Sequence, residues 1–149
     1  NTEKFNEVLQ VALINFADEP AFFFQLGVFY QHQEHYDEAA AYFRKAANMA
    51  ISTDEQRQAK YNAIFQLGRT SILSDSNFDE GEKALIQYLN EAVVSADMPT
   101  KNWAKFRLAN IVEAKGEKLA AVTLYNDLVD DVIDKDLQKQ LEKRIKNLS

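Results

Sequence analysis

Few side chains in this 149-residue chain are of the types that do covalent or metal chemistry, and their spacing decides each case. His32 and His35 are the only histidines, and with Glu34 and Asp37 beside them they would share one face of an unbroken helix. A structural metal site needs three or four converging ligands. These two flank an expected helix break, so they read as solvent-facing polar residues. Asp75-x-Asn77-x-Asp79 matches the first half of a calcium loop, but its sixth position is Glu80 where glycine is needed and its twelfth is Ile86 where glutamate is needed. It reads as a turn followed by helix-capping acids. There is no glycine-rich phosphate loop, no G-x-S-x-G and no ordered Ser-His-Asp set. The absence of cysteine removes thiolate nucleophiles, disulfides and zinc–thiolate sites. The many carboxylates fall on expected exposed faces or at helix starts, where they complement the helix dipole. The expectation is a non-catalytic chain with no cofactor and no metal.

The residues that do repeat are suited to non-covalent contact. Phe24-Gln25-Leu26-Gly27 returns as Phe65-Gln66-Leu67-Gly68 and as Phe106-Arg107-Leu108-Ala109, with leading phenylalanines 41 residues apart each time. Each block is followed by a second signature: Tyr36-Asp37-Glu38-Ala39, Phe78-Asp79-Glu80-Gly81, and the looser Glu117-Lys118-Leu119-Ala120-Ala121. A fixed period in this range marks an array of stacked helical units. The low glycine and proline content, 4 and 2 residues, also favours helices.

The elements that position these blocks follow from periodicity and punctuation. A leading helix is expected over 3–17, with Phe5, Val8, Leu9, Ala12, Leu13 and Phe16 at helical spacing, stopped by Asp18-Glu19-Pro20. Further helices are expected over 20–33, 37–50, 53–73, 79–94, 100–114, 117–132 and 134–148. Ser52 and Glu55 form a capping box before the fourth, and Gly116 suits the left-handed end of the sixth. Gly27, Ala39, Gly68 and Gly81 would let paired helices approach closely. The last helix, with Leu137, Leu141, Ile145 and Leu148, would cover the final apolar face.

The pattern resembles the tetratricopeptide repeat (TPR) family. The first repeat carries Phe23, Leu26, Gly27, Tyr30, Tyr36, Ala39, Phe43 and Ala46. The second carries Ile64, Leu67, Gly68, Phe78, Gly81, Leu85 and Tyr88, and the third Leu108, Ala109, Val112, Gly116, Ala121, Tyr125 and Leu128. Lys105 departs from the pattern, and the 41-residue spacing exceeds the family's 34. The resemblance covers residues 20–132. It implies an all-α, TPR-like superhelix of three helix pairs with a leading and a C-terminal capping helix. The whole is one domain: leading helix 1–19, repeats 20–51, 52–96 and 97–132, and capping helix 133–149.

The resemblance further implies that the first helix of each pair lines a concave groove. Phe24, Val28, Gln31 and His32 would come from the first repeat, and Asn62, Phe65, Arg69, Ile72 and Leu73 from the second. The third would add Trp103, Phe106, Asn110 and Glu113. Phe24, Phe65 and Phe106 would either form an aromatic stripe along that groove or pack between repeats. The implied function is binding of a partner protein's peptide or helix, as an adaptor or scaffold. The alternative is a self-associating homodimer or a structural part of a larger protein. Family members that clamp a chaperone tail's terminal carboxylate use Lys and Asn where this chain has Phe24 and Val28, so that use is not expected.

The net charge of −6 argues against nucleic acid. Residues 135–149 carry +3 and the remainder −9. This basic last helix reads as a solvated capping face rather than a membrane anchor. No stretch approaches the roughly 18 apolar residues of a membrane span, and membrane insertion is not expected. A soluble chain without cysteine is compatible with the cytoplasm and the periplasm alike. Because the chain opens on Asn1 rather than Met, it is expected to be a processed or excised piece.

Overall fold

The computed structural model describes residues 2–149, and every regular element among them is an α-helix. In order these are α1 (Thr2–Asn15), α2 (Pro20–His32), α3 (Tyr36–Ala47), α4 (Asp54–Ser74), α5 (Phe78–Glu91), α6 (Lys101–Ala114), α7 (Lys118–Leu128) and α8 (Lys135–Leu148). All eight fall where the periodicity places them, with ends displaced by at most four residues.

Local chemistry sets the boundaries. Pro20 opens α2, where its missing N–H is no loss. The cap of α4 lies one residue later than the sequence suggested. Thr53 Oγ1 accepts from the Gln56 amide at 3.1 Å, and Gln56 Oε1 accepts from the Ser52 amide at 2.7 Å, so Gln56 rather than Glu55 closes the motif. Asp134 caps α8 by accepting from the amides of Asp136 and Leu137. Asp75 and Asn77 take left-handed backbone (φ 52° and 55°), turning the chain between α4 and α5.

Short loops make α2/α3, α4/α5 and α6/α7 packed hairpins. Small residues set the depth of the first two. A Cβ on Gly27 would fall 2.4 Å from Phe43 Cε1, and one on Gly68 would fall 2.4 Å from Leu85 Cγ. The helix axes approach as closely as glycine allows. Across the hairpins, α2, α4 and α6 lie side by side, while α3 packs on α4 and α5 on α6. The two layers enclose a core running from Phe23, Phe43 and Ile64 through Leu85 and Tyr88 to Phe106, Tyr125 and Leu141. The second half of that core is closed by α8, which buries Leu137 and Leu141. On the other side, Arg44 of α3 grips Glu80 of α5 through Nε and Nη2 (2.7 and 2.8 Å). Lys115, after α6, donates to Glu82 at 3.0 Å.

The leading helix stands apart. No residue of α1 is buried. It is held through half-buried Leu13, by the ring contact of Phe5 with Phe29 and, just past its end, by that of Phe16 with Phe22.

Candidate functional site

The face formed by α2, α4 and α6 divides the expected groove residues into two sets. Two of the three stripe phenylalanines belong to the interior. Phe65 is 5% exposed with its ring edge-on to Tyr88, and Phe106 is 1% exposed against Tyr125. Phe24 is half-buried, its ring 6.0 Å from that of Phe43. Each phenylalanine packs on the second helix of its own hairpin, so none of the three forms a groove-lining stripe. Gln31 is also interior. At 8% exposure its Nε2 donates to Gln66 Oε1 and Thr70 Oγ1, both at 3.1 Å, tying α2 to α4. Burial demands that such an amide be satisfied, and its neighbours do so.

The remaining expected residues do reach solvent. Val28, Asn62, Arg69, Ile72, Trp103 and Asn110 are half-exposed, and His32 and Leu73 are exposed. The side chains of Asn62 and Arg69 make no hydrogen bond or ion pair with any described residue. Trp103 is committed to packing at one end, since its Nε1 donates to Asp134 Oδ2 at 3.0 Å and pins the start of α8.

Beyond Arg69 the face deepens into an open cavity of about 440 Å³. Its walls are Ile72 from α4, Phe106, Arg107, Asn110 and Glu113 from α6, and Gln140, Lys143 and Arg144 from α8. A polar chain crosses it. Arg107 Nη1 donates to Asn110 Oδ1 (3.2 Å), and Asn110 Nδ2 donates to the Tyr125 hydroxyl (2.8 Å). That hydroxyl donates to Glu113 Oε1 (2.7 Å), and Arg144 grips the same carboxylate through Nε (3.0 Å) and Nη2. Arg107 lies over the rings of Trp103 and Phe106, 5.3 and 5.5 Å from their centroids. Burial first, and the like charge of Arg69 second, push its guanidinium down to about 10, so it remains charged at neutral pH. Burial likewise raises the Tyr125 phenol, opposed by the Asn110 hydrogen bond and the Arg107 charge.

Four of these residues were not among those expected from sequence: Arg107, Gln140, Lys143 and Arg144. A signal for Arg107 existed, because it stands where the other two blocks have Gln25 and Gln66. The α8 residues had none beyond the basic character of that helix, part of whose charge borders this open cavity.

The candidate metal residues are dispersed. His32 and His35 are both exposed, and His35 stacks on Tyr30 at 6.2 Å. In the calcium-like segment Glu80 is bound to Arg44, and Asp79 faces Lys115 at 3.5 Å. No cluster of three or more metal-ligating side chains occurs among the described residues. Nor is any helix among them long and apolar enough to cross a membrane. The chain matches no family model, no curated protein and no solved structure.

Proposed function

We propose that the chain is a tetratricopeptide-like interaction module that binds a segment of a partner protein along the face of α2, α4 and α6. Helices of one layer that touch their neighbours directly form the inner side of a curved array, and the second helices α3, α5 and α7 form its outer side. The observation that carries the reading is the state of the inner face. Val28, Asn62, Arg69 and Ile72 present mixed apolar and polar surface there, and neither Asn62 nor Arg69 has a partner within the described chain. An extended peptide or a helix would supply both apolar cover and hydrogen-bonding groups.

The test is selection of a displayed random-peptide library on three folded proteins: the wild type, Arg69→Glu/Ile72→Glu on the inner face, and Lys83→Glu/Gln87→Glu on α5. Circular dichroism and thermal melting establish that all three fold. Peptides enriched on the wild type and the α5 variant, but lost on the inner-face variant, are the expected result. Equal enrichment on all three, or loss only on the α5 variant, would refute the assignment of the face.

A second reading is favoured by α1. Val8, Val11 and Ile14 of that helix are 61%, 57% and 77% exposed, an apolar strip that self-association would cover. Sedimentation equilibrium decides this reading: a dimer dispersed by Ile14→Glu supports it, and a monomer at all concentrations removes it.

A further inference from the structure

In a chain of net charge −6, the cavity between α4, α6 and α8 has the opposite sign. Arg107, Lys143 and Arg144 line it, Arg69 acts on Arg107 from beside it, and Glu113 is its one carboxylate. Glu113 is already engaged by Arg144 and the Tyr125 hydroxyl. No carboxylate among the described residues lies within ion-pair distance of Arg107, Arg69 or Lys143. Arg107 Nε is buried and bonds to nothing. Its Nη1 is used by Asn110, and its Nη2 makes no bond to the protein. A largely buried guanidinium without a counter-ion is unfavourable, and the like charge of Arg69 adds to that. A protein retains such an arrangement where something outside the chain supplies the anion.

We infer that the cavity takes a carboxylate side chain from an acidic segment of the partner protein, seated at Arg107 with Arg69 and Lys143 on either side. The inference rests on the groove reading above and gives that groove its ligand chemistry. Arginine is suited to the role, because its planar fork matches a carboxylate and its rigid seat on Trp103 and Phe106 leaves little freedom to lose on binding. A protein segment fits better than a free ion. A small inorganic anion would fill little of a cavity of about 440 Å³ and would leave the half-exposed Ile72 wall wet. A segment carrying acidic and apolar residues would satisfy both walls, and the negative charge of the rest of the body would discourage it from docking elsewhere.

The experiment uses the full chain labelled with ¹⁵N and three probes: a short peptide alternating Glu with Leu, its Gln-for-Glu counterpart, and sodium sulfate. Calorimetry gives affinities, and NMR follows the backbone amides and the Arg107 Nε–Hε signal. The acidic peptide is expected to bind, to shift the Arg107 signal and the amides of α6 and α8, and to weaken as salt rises. Lys143→Gln on the exposed side of α8, which leaves the fold intact, is expected to weaken it about tenfold, and Arg107→Gln more. Equal binding of both peptides with shifts on α2 and α4 but none at Arg107 would overturn the inference while leaving the groove reading standing. Binding of neither peptide would overturn it too, the groove reading then resting on the library selection. Sulfate displacing the acidic peptide at equal concentration would show a small-anion site and overturn the choice of ligand.

Discussion

Gly27 and Gly116 are kept as glycine for different reasons, and the two substitutions separate packing from conformation. At Gly27 the neighbour is the Phe43 ring, within 2.4 Å of any added Cβ. Gly27→Leu is expected to lower stability by about 1–3 kcal/mol through overpacking, seen as a lower urea midpoint. At Gly116 nothing lies within 4 Å, but φ is +87°. Gly116→Ala is expected to cost about 1–2 kcal/mol from backbone strain alone. Titration supplies a second residue-level prediction. The Arg44 hydrogen bond holds Glu80 below its ordinary value of 4.5. Because the folded value is depressed, the ion pair's stabilisation is complete above the unfolded value and is lost as pH falls through the folded one. With both side chains more than a third exposed, solvent screening limits it to about 1 kcal/mol or less. Stability measured from pH 6 down to 3 should therefore fall slightly less for Glu80→Gln than for the wild type. The close-approach glycines were legible in sequence because their spacing recurs. The burial of Phe65 and Phe106 was not. These rings sit one position beyond the signature residues, about 100° around the helix, and an aromatic there reads alike whether a neighbouring hairpin covers it or not. Helices α4 and α6 have packed neighbours on several sides. Helix α2 lies at the end of the row, with only α1 beyond it, so Phe24 stays half-buried.

Helices α1 and α4 mark the extremes of anchoring. Helix α4 buries eight residues and touches α2, α3, α5 and α6, whereas α1 buries none. Local opening follows burial. Hydrogen–deuterium exchange should therefore find the α1 amides exchanging first and those around Ala63–Leu67 last. Protection of α1 equal to that of α4 in dilute solution would contradict the anchoring described here. Helix α8 shows what an amphipathic pattern can and cannot say. Its apolar face, Leu137 and Leu141, was readable as a cover for the last hairpin. That the same helix also supplies Lys143 and Arg144 to a cavity was not, because which side of a terminal helix meets solvent depends on the angle at which it docks. That angle is fixed by long-range contacts such as Trp103 to Asp134 and Arg144 to Glu113, the partners 31 positions apart in each case.

At the scale of the molecule, a 41-residue repeat was enough to order the helices and pair them, since hairpins and stacking follow from local connection and small-residue spacing. The distribution of charge needed the three-dimensional arrangement. An acidic chain gathers Arg69, Arg107, Lys143 and Arg144 at one end of one face, from three helices that the sequence separates. We propose the layer of α2, α4 and α6 as the place where the chain meets a partner protein. The measurement that tests it most directly is an NMR titration of the ¹⁵N-labelled chain with a peptide selected on the wild type. Shifts concentrated on Val28, Asn62, Arg69 and Ile72, and on Asn110 toward the cavity, are what the account predicts. Shifts concentrated on the exposed faces of α3, α5 and α7, or on α1 alone, would contradict it.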